Sequence, residues 1–247
     1  MTHYAFRPLA IMGTIASLSA CELTGAQPVG YDAQLRLAEQ FLNNGQYARA
    51  YGVFDGVETA HSGSAEVQLA LGRSYLRSFA FLKAERAFSA AVALGAQDEG
   101  AIGLGRIALA RNDADGALVA FGGVLSRDQE NAVALNGVGV AYDLQGKHAE
   151  AQNSYRRALA VDPAFSQSRN NLGLSLALSG EYDSAETVLA ELVGSELNNT
   201  VARQNLALAF YLQGRERDAV ELASLDVGES EATALFRAVR RYRRVSP

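Results

Sequence analysis

Any chemistry in this chain would have to come from few groups. There is one cysteine, Cys21, and there are three histidines, His3, His61 and His148, in 247 residues. A lone thiol cannot close an internal disulfide, and no CxxC or Cys/His cluster exists to hold zinc. None of the histidines has a Ser, a Cys or a paired acid set beside it by helical spacing, so nucleophilic and acid–base catalysis lack their parts. The stretch Asn112-Asp113-Ala114-Asp115-Gly116 suggests a calcium loop. It lacks the third ligand position and the bidentate Glu that closes such a loop, and it reads as a turn between helices. The Gly-x-Gly within residues 100–106 has no strand before it and lies inside a helical pattern, where its glycines fit close helix packing better than a phosphate. The expectation is a protein that is not an enzyme and takes no cofactor and no metal.

Composition narrows the partners. Lys and Arg total 22 against 27 Asp and Glu, a net charge of −5, which gives no general pull toward nucleic acid. There is no Trp and there are only 4 Pro in a chain rich in small residues and Leu, which favours helices packed through small side chains. Beyond the first twenty residues no apolar run approaches the roughly 18 to 20 residues that span a bilayer.

The start of the chain explains the lone cysteine. Residues 1–20 contain Arg7 and no acid, and after Pro8 an apolar run, LAIMGTIASLSA, has the length of a signal-peptide core. It ends Leu18-Ser19-Ala20-Cys21, which resembles the bacterial lipobox, with small side chains beside the scissile bond and a thiol free to take a diacylglyceryl thioether. The resemblance implies a signal peptide over residues 1–20, lipid on Cys21 holding the chain to the membrane, and a turn-rich tether over residues 21–30. The residue after Cys21 is Glu22 rather than Asp, which by the same resemblance favours the periplasmic side of the outer membrane. A general secretory signal, or a buried first helix with an incidental cysteine, stays open.

From residue 31 onward the chain is repetitive. A small residue recurs at Ala38, Gly72, Gly105, Gly139, Gly173 and Ala207, in steps of 34, 33, 34, 34 and 34. Twelve residues after each comes an alanine: Ala50, Ala84, Ala117, Ala151, Ala185 and Ala219. Sixteen after it come Phe54, Phe88, Phe121, Tyr155, Leu189 and Ala223, and seven after it a glycine in four of the six (Gly45, Gly146, Gly180, Gly214). Small positions let two antiparallel helices approach, large ones fill the space between neighbouring pairs, and the glycines suit left-handed C-caps. Phe79 and Asn112 stand where the second and third units lack that glycine, and Asp226 takes an expected core position in the sixth.

This pattern resembles the tetratricopeptide repeat family, most completely in the unit carrying Leu135, Gly139, Tyr142, Gly146, Ala151, Tyr155, Ala158 and Pro163. The resemblance implies an all-α, right-handed superhelical solenoid of six helix pairs over 31–64, 65–97, 98–131, 132–165, 166–199 and 200–228. Residues 229–247 read as a basic capping helix with Ala234, Leu235, Ala238, Val239 and Tyr242 on one side and arginines near its end.

In that family the concave face is lined by the first helix of each unit. By resemblance the partner-binding residues are Arg73, Arg77, Arg106, Asn136, Asp143, Asn170, Gln204 and Tyr211, types suited to an extended or helical peptide: arginines for carboxylates, amides for a backbone, a tyrosine for apolar area. A lipobox followed by such repeats resembles the lipoprotein of the tight-adherence (Flp) pilus assembly system and pilotin-type lipoproteins that serve secretins. The expected partners are therefore pilus-assembly or secretin proteins through the concave face and a membrane through Cys21. A soluble adaptor without an anchor, or an accessory subunit of an envelope-remodelling enzyme, are the alternatives.

Overall fold

The structure is a computed structural model that describes residues 30–196 and 199–245, with side chains as far as residue 239. Cys21, the signal segment and the tether lie outside the described residues, as do the side chains of Arg240, Arg241, Tyr242, Arg243 and Arg244. The described residues form thirteen α-helices and no strand. They fall into two compact units, one ending at Val57 and one beginning at Glu58.

The first unit holds α1 (Tyr31–Asn43) and most of α2 (Tyr47–Ala60). Helix α1 buries Leu35 and Ala38, and α2 buries Ala50, Phe54 and Val57.

The second unit contains five helix pairs and a final helix. The pairs are α3 (Ala65–Arg77) with α4 (Phe81–Ala93), α5 (Gln97–Ala110) with α6 (Ala114–Leu125), and α7 (Ala132–Leu144) with α8 (His148–Val161). They continue with α9 (Ser166–Leu178) and α10 (Tyr182–Ser195), then α11 (Thr200–Gln213) and α12 (Glu216–Val227), before α13 (Glu229–Val245). Each helix packs on the next in sequence. The first helix of each pair also touches the first helix of the following pair, so α3, α5, α7, α9 and α11 stand side by side. That is the stacking of a solenoid.

The packing shows why the small positions must be small. A Cβ added to Gly72 would lie 2.7 Å from the Phe88 ring, and one on Gly105 2.7 Å from Phe121. On Gly139 it would meet Tyr155 at 2.4 Å, and on Gly173 Leu189 at 2.4 Å. Each glycine is the socket for the large residue sixteen positions later in its own unit. Two of these rings are enclosed from both sides: Gly103, in the following pair, would bring a Cβ within 2.4 Å of Phe88, and Gly137 within 2.5 Å of Phe121. In α11 the socket holds Ala207, and the residue sixteen on is Ala223, so both sides are small there. The alanines at the twelfth position, Ala84, Ala117, Ala151, Ala185 and Ala219, expose 0% of their surface.

The turns obey the same register. Gly146, Gly180 and Gly214 have φ of 72°, 88° and 92°, and Phe79 and Asn112 hold the left-handed conformation at 57° and 59°. Asparagine tolerates that region, whereas phenylalanine is strained there. Asp113 follows Asn112 as the N-cap of α6, its Oδ1 accepting from the Gly116 amide at 2.9 Å. The Asn-Asp-Ala-Asp-Gly stretch is a turn and a helix cap.

Two departures from the sequence pattern have physical reasons. Arg203 stands where α7 has Leu135, and Asp226 where α8 has Ala158. The arginine donates from Nε to both Asp226 oxygens, at 3.1 and 3.0 Å, so an ion pair replaces an apolar contact at this end. Of the expected face of α13, Ala234, Leu235 and Ala238 are exposed and only Val239 packs inward, while the side chain of Tyr242 lies outside the described residues. The buried face is Ala232, Phe236 and, in part, Val239, spaced by four and three. Phe236 decides the rotation because it stacks on Tyr211, with centroids 4.8 Å apart and planes 15° from parallel.

Candidate functional site

The side-by-side first helices bring the expected residues into one region, though not all of them remain available. Arg73 on α3 and Arg106 on α5 are both exposed and make no hydrogen bond or ion pair with another described residue. They are close enough to feel each other. Desolvation first, and then the Arg73 charge, lower the Arg106 pKa below the ordinary guanidinium value. Arg77 is also exposed and donates from Nη2 to Ser74 Oγ at 3.1 Å in its own helix.

Asn136 on α7 and Asn170 on α9 are buried to 5% and 9% exposure. They belong to a ladder in which the Asn171 Nδ2 donates to Asn136 Oδ1 at 3.0 Å and the Asn205 Nδ2 donates to Asn170 Oδ1 at 3.0 Å. Each rung joins one first helix to the next. The Nδ2 groups of Asn136 and Asn170 keep no acceptor among the described residues. Gln204, the next amide in this register, is exposed and lines a cleft with Leu208, Leu235, Phe236 and Val239, between α11 and α13. Asn171 and Asn205 were not singled out in the sequence, although the doublets Asn170-Asn171 and Gln204-Asn205 lie 34 residues apart and mark the ladder.

Two of the expected residues are occupied. Tyr211 is 6% exposed and its ring lies against Phe236 of α13, so the helix that covers the last pair takes the surface the tyrosine would have offered. Asp143 spends its carboxylate internally. Its Oδ1 pairs with His148 Nδ1 at 2.8 Å and accepts from Ser175 Oγ at 2.7 Å, while Oδ2 accepts from Tyr155 OH at 2.8 Å. Burial, and then the Asp143 charge, push the Tyr155 pKa well above the ordinary phenol value.

His148 therefore does have a partner acid, which the sequence reading missed because the pair spans the turn between α7 and α8. It is not a catalytic triad. In a triad the imidazole lies between carboxylate and hydroxyl so that it can take the hydroxyl proton. Here the carboxylate lies between the other two, and Ser175 is fully buried with its hydroxyl already donating a hydrogen bond to Asp143. The cluster ties α7, α8 and α9 together.

No group of three or more His, Cys, Asp or Glu that could hold a metal occurs among the described residues. No helix among them is long and apolar enough to cross a membrane.

The family described as tetratricopeptide repeat matches residues 102–151 and 139–200. No curated protein matches the sequence. Among solved structures, a thermophilic TPR protein of Thermus thermophilus is 20% identical, with a TM-score of 0.62 over 73% of this chain and 99% of its own. PilW, a widely conserved type IV pilus biogenesis factor, is 18% identical, with a TM-score of 0.62 over 80% of this chain and 91% of its own. PilF of Pseudomonas aeruginosa is 18% identical, with a TM-score of 0.58 over 77% of this chain and 95% of its own. Residues 102–200 thus match the tetratricopeptide repeat, and the stacked helix pairs that extend the array on either side of them within the second unit share its fold.

Proposed function

We propose that the protein is a lipid-anchored scaffold that binds protein segments along its first helices while a bacterial envelope machine is assembled, pilus biogenesis of the tight-adherence type or secretin assembly being the machine. The observation that carries the binding reading is the run of polar groups without a partner on consecutive helices: two exposed arginines, then two largely buried amides whose Nδ2 donors have no acceptor among the described residues. Exposed, uncompensated charge beside unsatisfied amides suits recognition of carboxylates and peptide backbone. The anchor rests on Leu18-Ser19-Ala20-Cys21, and the choice of machine draws support from PilW, a fold neighbour that is a pilus biogenesis factor.

The test has two arms in a bacterial host. Labelled palmitate should enter the wild-type protein and not Cys21→Ser. Crosslinking in intact cells should recover pilus-assembly or secretin components. Absence of label in the wild type removes the anchor and leaves an unanchored adaptor. Recovery of none of those components removes the machine.

A further inference from the structure

The register of the helix pairs exposes a division in the binding face. The residue after each small position reads Arg73, Arg106, Val140, Leu174 and Leu208 from α3 through α11. The residue three before it reads Leu69, Ile102, Asn136, Asn170 and Gln204. Both rows change chemistry at the same place, between α5 and α7. On one side are cations beside aliphatics, and on the other aliphatics beside amides. Every aliphatic of both rows is half-buried, so each still offers surface.

The two halves are internally consistent. The arginines are adjacent and unpaired in a chain of net charge −5, and the acids in the same helices, Glu66, Asp98 and Glu99, lie seven or eight residues away, about 10–12 Å along the axis, with Asp98 paired to Arg127. The aliphatic row ends in the cleft where Leu208 meets Leu235, Phe236 and Val239. Leu235 is 50% exposed although it lies in a helix that covers its neighbour.

Building on the proposed scaffold role, we infer that this face takes one extended segment of a partner protein, with acidic side chains over Arg73 and Arg106 and apolar side chains over Val140, Leu174 and Leu208. The amides decide for an extended segment, because the free Nδ2 donors of Asn136 and Asn170 need backbone carbonyls that a helix would already have used. Packed helices stand about 8–10 Å apart, and an extended chain in the polyproline II form advances about 3.1 Å per residue with every third side chain on the same face. One helix step therefore spans about three residues of the partner. The recognised pattern is an acid every third residue, twice, followed or preceded by an apolar residue every third residue, three times.

Fluorescent peptides of about 13 residues test this directly. One carries glutamates at its first and fourth positions and leucines at its seventh, tenth and thirteenth, with serine and glycine between. A second has that sequence reversed, and a third has the same composition with acids and leucines interleaved. Fluorescence anisotropy should show one of the first two binding the full protein at least about tenfold more tightly than the interleaved peptide. Arg73→Glu with Arg106→Glu, and separately Leu174→Asp with Leu208→Asp, should each weaken it about tenfold or more while far-UV circular dichroism stays unchanged. Equal binding of all three peptides, or of none, overturns the inference. If cells nevertheless yield envelope partners crosslinked to the protein, the scaffold reading stands without it. If an ordered peptide binds while cells yield none, the divided face stands and the envelope role falls.

Discussion

The socket glycines can be tested by one pair of substitutions with opposite signs. Replacing a mid-helix glycine by alanine normally stabilises a helix by about 0.8–1 kcal/mol. Gly122, in α6, is exposed and would place its new Cβ in open space, with nothing within 4 Å. Gly122→Ala should realise that full gain. Gly139, in α7, would place the same atom 2.4 Å from Tyr155, far inside the roughly 3.5–4.0 Å of a good carbon contact. The ring cannot slide away freely. It is 1% exposed, and its hydroxyl donates to Asp143 at 2.8 Å. Overpacking of this kind costs about 1–3 kcal/mol, and straining a hydrogen bond to a carboxylate adds to it. Net of the helix gain, Gly139→Ala should destabilise by about 1–2 kcal/mol, leaving the two variants about 2–3 kcal/mol apart. Urea denaturation followed by circular dichroism measures both midpoints under one condition. If Gly139→Ala stabilises the protein as Gly122→Ala does, the ring does not occupy the socket and the helix register is wrong.

Further expectations concern turns, buried polar groups and pH. Gly146→Ala should cost about 1–2 kcal/mol, since φ is 72° and no neighbour obstructs, while Phe79→Gly should raise the urea midpoint by relieving a left-handed phenylalanine. Ser168 is fully buried with its hydroxyl unpartnered, and Ala134 and Ala202 fill the same place in adjoining pairs; Ser168→Ala should stabilise by about 1 kcal/mol, read from the same denaturation curve. Asp143→Asn should cost about 1.5–3 kcal/mol, because an amide set against three donors replaces a full acceptor. The raised Tyr155 pKa fixes a sign: the folded state holds the phenol neutral, so its contribution is complete below the unfolded value of about 10 and is lost as pH rises beyond it. Urea midpoints at about pH 9 and about pH 11 should diverge less in Tyr155→Phe than in the wild type.

The array was legible because its geometry repeats in identical residue types. A glycine must face a ring and a left-handed residue must close a turn, so Gly139 with Tyr155, or Gly146 alone, signals its place without knowledge of the rest. Single events without a repeating partner were not legible. Which side of α13 turns inward depends on Phe236 finding Tyr211 across the pair, and local periodicity favoured a stripe of which Val239 packs inward while Ala234, Leu235 and Ala238 do not. The Arg203–Asp226 pair breaks the apolar pattern twice, and each break alone looks like decay of the repeat. Asp143 looked like a surface ligand because nothing in its own helix says that His148, Tyr155 and Ser175 converge on it from two others. The ladder could have been found: two amide doublets one repeat apart are a repeated signal, and only the first member of each doublet was weighed.

The central claim is that partners bind across the first helices. Photo-crosslinking in intact cells tests it most directly, with a photoreactive amino acid replacing either Leu174, on α9, or Val119, which is 77% exposed on α6, a second helix. The account predicts partner adducts from position 174 that disappear when Arg73 and Arg106 are both changed to Glu, and none from position 119. Adducts from position 119 with none from position 174 would contradict it.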